Sequence, residues 1–350
     1  MKTKFYEKVT RLTEPYIIAE LGSNHNGDMN LAKKLIDAAK EAGADCVKFQ
    51  SWTKESIFSA KKYRDNYFLD DDYRDRNDYS LEQIVEAFAI TEAQLKEMSE
   101  YSKKVGIDFT STPFSKKEAD YLVDELDVPF IKIASMDVNN YPFLEYVSKK
   151  GKAIVLSTGL SELHEIDKAI QTLESTGNKE LVILHCIAIY PTEDKFINLN
   201  NIETLKTIYP YPIGFSDHSL GFSIPLAAVA KGACLIEKHF TLDNEMFGWD
   251  HKMSATPEEL RIIATESKRI FRSLGSFRIV SPESENRKME FRRSIVTNRA
   301  MIAGEIIQDE DLTAKRPGTG ISPGELQYVI GRKLSRNIDA DDLISWNDLV

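Results

Sequence analysis

The sequence predicts a (β/α)8 barrel followed by a small β-rich C-terminal domain, and three observations carry that prediction. A short β-rich run, a polar turn and an amphipathic helical stretch succeed one another eight times within about 260 residues, the size of such a barrel. The β-rich runs are nearly continuous in apolar residues, as parallel strands buried on both faces are. The alternation then stops, and the last ~60 residues hold short strands punctuated by Gly and Pro. An open, doubly wound sheet is the competing architecture; it is weakened because no G-x-G-x-x-G turn follows the first run.

The first run, PYIIAELG at 15–22, ends on Glu20 and opens into GSNHNG, with Asn24 and His25. The helix after it, NLAKKLIDAAKEAG, sets Leu31, Leu35, Ile36 and Ala39 on one face, and Gly43 stops it. The second run, CVKFQ at 46–50, carries Lys48 and Gln50. Residues 51–80 form a long, charged insertion before the next helix, expected to cover bound substrate, since structureless loops of this length are usually functional. The third run, IDFTSTPF at 107–114, brings Ser111 and Thr112, and the fourth, FIKIAS at 130–135, brings Lys132 and Ser135. The fifth, AIVLSTG at 153–159, ends in Ser157 and Thr158; the sixth, LVILHCI at 181–187, carries His185 and leads to Tyr190. The seventh, PIGFSDH at 212–218, closes on Ser216, Asp217 and His218, and the eighth, CLIEKHF at 234–240, on Glu237, Lys238 and His239. After the helix PEELRIIATESKRIFRSLG the pattern breaks. The expected organisation is a barrel over 1–280, a polar linker over 281–293 and a second domain over 294–350.

The apolar share of 42% and charged share of 29% are those of a soluble globular chain. No apolar run approaches the ~20 residues that span a bilayer, and the N-terminus lacks the apolar core of a signal peptide. A cytoplasmic protein without a membrane partner is expected. The formal net charge of −10 argues against a nucleic-acid partner but leaves room for a small anionic substrate met by local cations. Cys46, Cys186 and Cys234 lie far apart in apolar runs, without zinc spacing or a disulfide framework, and read as buried thiols.

Chemistry in a (β/α)8 enzyme sits where the strands end. Residues two apart share a strand face, so Lys48 with Gln50, Ser216 with His218, and Glu237 with His239 are expected to face inward together. Lysine is costly in an apolar strand unless something pairs with it. Lys48 and Lys132, with Ser135, Ser157 and Ser216, therefore read as an anion site for phosphate or carboxylate; the competing reading pairs both lysines with Glu20 or Glu237. His218 and His239 end consecutive strands, about 5 Å apart. With Glu20, Asp217 and Glu237 expected nearby, they form a candidate site for Mn²⁺, Zn²⁺ or Co²⁺. His185 reads as a hydrogen-bonded core residue and His164 as solvated.

The motifs IAELGSNHNGD, VKFQ, FTSTPFS, KIAS, STGLS, LHC…YPT, GFSDHS, EKHFTLD, DHKMS and KRPGTGISP occur in this order. Together they make the whole chain resemble the sialic acid synthases, nonulosonic acid synthases that use phosphoenolpyruvate, with an antifreeze-like (SAF) domain at the C-terminus. The resemblance implies a domain-swapped homodimer in which each small domain caps the partner's barrel. It makes His218 and His239 metal ligands, for Mn²⁺ foremost, with Mg²⁺ or Co²⁺ as alternatives. It implies that Lys48, Thr112, Lys132, Ser135, Ser157 and Ser216 hold phosphoenolpyruvate. Glu20, Gln50, Tyr190 and Asp250 would contact the amino-sugar acceptor or the reacting centre, and Arg316 would reach in from the partner chain.

Several positions depart from the resembled pattern. Ile187-Ala188 stands for Thr-Asn, Met136-Asp137 for Gly-Glu, Trp249 for Pro and Thr319 for Asn. Asp137 is expected to reach an acceptor hydroxyl directly or through water. The implied product is N-acetylneuraminate from N-acetylmannosamine, with N,N′-diacetyllegionaminate from a 2,4-diacetamido-2,4,6-trideoxy-mannose as the close alternative. A catalytically silent sugar-binding scaffold is the reading from another class, and it predicts neither bound metal nor phosphate release.

Overall fold

Parallel ladders join eight strands in the spatial order β3-β2-β1-β8-β7-β6-β5-β4 in the computed structural model, which describes residues 2–11, 13–66 and 80–350. They are β1 (Tyr16–Gly22), β2 (Cys46–Gln50), β3 (Asp108–Thr112), β4 (Phe130–Ile133), β5 (Ala153–Ser157), β6 (Leu181–Cys186), β7 (Ile213–Asp217) and β8 (Leu235–His239). Each expected run holds one of them. Between β3 and β4 no backbone ladder forms, but the Thr110 hydroxyl donates to the Phe130 carbonyl at 2.7 Å, closing the barrel with a side chain. The architecture is the (β/α)8 barrel with a small C-terminal domain that the alternation predicts.

Two apolar layers form because strand side chains alternate. Outward residues such as Ile17, Val47, Ile131, Ile154, Ile183 and Ile236 meet the surrounding helices in one large core. Inward residues Tyr16, Ile18, Cys46, Phe130, Val155, Val182, Leu184 and Leu235 fill the lower barrel. The N-terminal helix Lys4–Arg11 joins this inner cluster through Phe5, Tyr6 and Val9, with Phe5 stacked 4.1 Å from Phe130. The inner layer therefore turns polar only toward the strand ends, and that gradient positions the site. The helix Met29–Ala42 starts on Asp28, whose carboxylate accepts from the Asn30 amide, and stops at Gly43 in the left-handed region, φ +92°.

The chain divides into two units, Met1–Gly275 and Ser276–Val350. In the second, β9 (Ser294–Thr297) and β10 (Leu312–Lys315) pair antiparallel over a cluster of Ile295, Met301, Ile307, Val329, Leu334 and Ile344. The stretch expected as a plain linker carries the helix Glu285–Phe291, capped by Ser284. Its charged composition conceals the helix, which packs no buried residue of its own.

Of the insertion 51–80, residues 67–79 lie outside the described residues. Its described part forms the short helices Lys54–Ile57 and Ala60–Asp65. No described helix is long and apolar enough to cross a membrane.

Candidate active site

The upper inner layer of the barrel gathers charge. Glu20, Lys48, Lys132 and Glu237 all lie inward and are at least nine-tenths buried. Lys48 Nζ stands 2.6 Å from Glu20 Oε2 and donates to Thr112 Oγ1 at 3.0 Å. Lys132 Nζ donates to Ser157 Oγ at 2.7 Å and to the Ile133 carbonyl at 3.0 Å, with Glu237 Oε1 at 3.7 Å. Ser216 Oγ donates to the same Glu237 oxygen at 3.0 Å. The lysines are thus both interior and paired with carboxylates, so the two readings of the sequence coexist: two cations and two anions balance in one low-dielectric space.

Burial drives their ionisation apart. It raises Glu20 to about 7, with Lys48 opposing and Glu237 reinforcing the shift. Burial pushes Lys48 down, but Glu20 and Glu237 outweigh it and leave the ammonium raised. In Lys132 burial wins and the ammonium is lowered. Glu237 is lowered overall, because Lys132 and Lys48 overcome the burial that would raise it. A carboxyl that titrates near neutrality can give and take protons at neutral pH.

His218 and His239 face one another with ring centroids 5.5 Å apart. His218 Nδ1 lies 2.7 Å from the Ile187 carbonyl and donates to it; burial lowers this imidazole, but Cys186 and the Ile187 carbonyl outweigh it and leave its pKa raised. His239 Nδ1 is buried without a hydrogen-bond partner, and burial, then His218, hold this imidazole well below its usual pKa. Glu237 Oε2 is likewise buried without a hydrogen bond, with Lys48 Nζ 3.9 Å away. A neutral imidazole has a lone pair to give a divalent ion; His239 is held in that form, and at His218 an ion would compete with the ring proton. Among the described residues no group of three or more His, Cys, Asp or Glu is arranged to hold a metal.

Two loops roof these groups. After β1, Asn24 Nδ2 donates to the Phe240 carbonyl and to Ser254 Oγ, both at 2.9 Å. Asn26 Nδ2 donates to the Phe247 carbonyl at 2.8 Å, and its Oδ1 meets His251 Nε2 at 3.1 Å. These bonds tie the loop after β8 to the loop after β1 and set Asp250 Oδ2 3.7 Å from His239 Nδ1. Gly27, at φ +76°, runs so close to the helix Leu81–Phe88 that a Cβ would lie 2.2 Å from the Ala87 carbonyl oxygen. The Tyr190 ring, before the cis Tyr190–Pro191 bond, lies 4.2 Å from that of His218 and meets His239 edge-on at 6.3 Å.

One cavity of about 1080 Å³ is lined by Glu20, Lys48, Gln50, Thr112, Lys132, Ser135, Ser157, Tyr190, Ser216, His218, His239 and Asp250. Gln50 Nε2 donates to Glu20 Oε1 at 2.9 Å, and Ser135 Oγ accepts from the Gly159 amide at 2.9 Å. Two expected residues lie elsewhere in the first unit. Asp137 does not line the cavity: the 3-10 turn Ser135–Asp137 rotates it outward, where it accepts from Asn140 Nδ2 at 2.8 Å, and Met136 lines the cavity instead. Asp217 is not beside the imidazoles either; it faces the opposite side of β7 and pairs with Lys238 at 2.7 Å. Arg316 belongs to the second unit, where its guanidinium lies 5.0 Å from the Phe291 ring. Ser23 and Cys186 line the cavity without having been singled out in the sequence as site residues. His185 is a core residue as expected, bonded to the Ile197 carbonyl at 2.6 Å, and His164 is exposed.

The substituted positions Met136, Ala188 and Trp249 all line this cavity, and Trp249 meets Trp52 edge-on at 5.8 Å. With Phe58 and Phe114 they give its upper wall an apolar face.

Comparison with known proteins gives concordant matches. The model of the NeuB family matches residues 35–278, and that of the SAF domain residues 292–350. An N,N′-diacetyllegionaminic acid synthase of Campylobacter jejuni is 40% identical, over 94% of this chain and 98% of its own. One of Legionella pneumophila is 37% identical, over 95% and 94%. Among solved structures, the N-acetylneuraminic acid synthetase of Leptospira borgpetersenii aligns with TM-score 0.70 and 36% identity, over 79% of this chain and 90% of that one.

Proposed function

The chain belongs to the NeuB family, and from that premise we propose that it condenses phosphoenolpyruvate with an open-chain 2-acetamido sugar to give a nonulosonic acid and inorganic phosphate. The observation that carries this reading is the convergence of Lys48, Lys132 and their hydroxyl neighbours with the His218–His239 pair in one cavity. Buried ammonium groups with adjacent hydroxyls suit the carboxylate and phosphate of phosphoenolpyruvate. A divalent ion, Mn²⁺ foremost, held by His218 and His239 would polarise the acceptor aldehyde.

C3 of phosphoenolpyruvate attacks the aldehyde carbon, forming the C–C bond, and the aldehyde oxygen takes a proton. Water adds at C2 and gives up a proton; the C2–O bond then breaks, its oxygen leaving with phosphate, and the new C2 hydroxyl becomes the carbonyl as its proton passes to the departing phosphate. Lys48 and Lys132 stabilise the departing phosphate, as preorganised cations do best in a site shielded from water. The trianionic substrate enters a quartet already balanced in charge, which favours a proton on Glu20; this makes Glu20 the group that passes protons between water and the acceptor oxygen. Gln50 holds Glu20 in place, and Asp250 and Tyr190 contact the sugar. Arg316 is proposed to act on the barrel of a second copy, in a domain-swapped dimer.

The preferred acceptor is a 2,4-diacetamido-2,4,6-trideoxy-mannose. Met136, Ala188, Trp52 and Trp249 suit a deoxy carbon and a second acetamido methyl better than free hydroxyls, and the two diacetyllegionaminic acid synthases support the same choice. N-acetylmannosamine is the second reading, favoured by the likeness to the N-acetylneuraminic acid synthetase structure. The test is phosphate release from phosphoenolpyruvate with Mn²⁺ and either acceptor, or none, with and without EDTA. Release that needs the diacetamido sugar and stops with EDTA supports the proposal. Release with N-acetylmannosamine alone selects the second reading, and no release with bound metal rejects both.

A further inference from the structure

Each imidazole at the barrel mouth is directly preceded by a charged residue that faces away from the cavity: Asp217 before His218 and Lys238 before His239. Asp217 and Lys238 are register partners on β7 and β8, and their side chains are 1% and 0% exposed. Lys238 Nζ donates to Asp217 Oδ2 at 2.7 Å and also to the Ser219 carbonyl. Asp217 Oδ1 accepts from the Ser219 amide at 3.0 Å and from its hydroxyl at 2.7 Å. Ser219, immediately after His218, is thus held at three of its polar groups by two side chains, one from each strand.

A buried ion pair of this kind is a poor device for stability alone. Desolvation of both charges offsets most of their attraction, and apolar residues of similar size often serve as well. What an apolar pair cannot do is grip a backbone amide, a hydroxyl and a carbonyl of one residue. The grip fixes the chain on both sides of His218 and ties that turn to the residue before His239. We propose that Asp217 and Lys238 are positioning residues that set the spacing and orientation of the His218–His239 pair from behind the sheet. The inference rests on the reading of those imidazoles as the metal ligands; the positions of the rings can be tested without it.

The experiment compares the full-length parent with the double variant Asp217→Leu/Lys238→Met, which removes both charges and keeps apolar bulk. Thermal unfolding reports folding, the electron paramagnetic resonance signal of free Mn²⁺ reports affinity, and a crystal structure reports the rings. The double variant is expected to fold, to bind Mn²⁺ about 10–100-fold more weakly, as loss of supporting groups behind metal ligands does, and to show the two rings displaced. Parent affinity with unmoved rings in the folded double variant overturns the proposal. If the double variant fails to fold, Ser219→Ala, which deletes one of the gripped groups and leaves the ion pair, decides: several-fold weaker Mn²⁺ binding supports the positioning role, and unchanged affinity overturns it. If the parent binds no more Mn²⁺ than His218→Ala/His239→Ala, the metal reading fails. The ring positions in the double variant then judge the positioning role, displacement supporting it and superposition overturning it.

Discussion

Lys48 Nζ and Glu20 Oε2 lie 2.6 Å apart inside the barrel, and neither side chain is more than 4% exposed. Removing one member of such a pair is costly, because the other stays buried and charged. Lys48→Met is expected to lower stability by about 3–5 kcal/mol in urea denaturation at pH 8. The loss should be smaller at pH 6. Glu20 already titrates at about 7 in the presence of Lys48, and without that ammonium its carboxyl rises further, so at pH 6 it is protonated and the stranded charge disappears. An equal loss at both pH values would contradict the raised carboxyl.

His25 and His251 govern acid stability in the opposite direction. Burial holds each at about 4, against 6.5 when free. Both hold the loops over the site: His25 Nδ1 accepts from the Gly27 amide at 3.0 Å, and His251 bonds Asn26 and Thr241. A base depressed by folding binds fewer protons in the native state than in the unfolded one, so stability is present above pH 6.5 and drains away as pH falls toward 4. Each histidine contributes up to about 3 kcal/mol across that window. Urea midpoints from pH 7 to pH 4 should show the fall, and His251→Asn should make it shallower; an unchanged slope would contradict the depressed imidazole.

The barrel was legible because apolar run length and alternation are local properties of strands. The same alternation, applied strictly, would have sent Asp217 and Lys238 to the back of the sheet while His218 and His239 turned inward, as the register of β7 and β8 does. The expectation that Asp217 sits beside the imidazoles came from chain proximity, which in a strand points the wrong way. Asp137 is a different case: it lies past the end of β4, where a 3-10 turn sets direction and no periodicity applies. The loop carrying Asp250 is shaped by bonds such as His251 to Asn26, residues more than two hundred positions apart, and such pairings leave no mark on local sequence.

Gly214 has a packing role that its place in β7 makes testable. It faces into the barrel, where a Cβ would lie 2.6 Å from Leu184 Cδ2 and 2.7 Å from the Leu235 carbonyl oxygen. The backbone oxygen cannot yield without moving β8. Gly214→Ala is expected to cost about 1–3 kcal/mol by overpacking. A melting temperature within a degree of the parent's would show that β7 and β8 separate more easily than their ladder implies.

Removal of the divalent ion should separate substrate binding from turnover. Lys48 donates to Thr112, Lys132 to Ser157 and Ser216 to Glu237, none of them through His218 or His239, so on the proposed reading phosphoenolpyruvate binding is expected to depend little on the two imidazoles. The polarisation proposed for the acceptor aldehyde, by contrast, is expected to be lost. EDTA treatment, or His239→Ala, is expected to abolish phosphate release, by 10³-fold or more on the order of a lost electrostatic catalyst, while calorimetry still finds phosphoenolpyruvate bound within a few-fold of the parent affinity. Loss of phosphoenolpyruvate binding along with turnover would instead place the ion against the phosphate or carboxylate. That outcome would move the role proposed for His218 and His239 from the acceptor end of the cavity to the anion end.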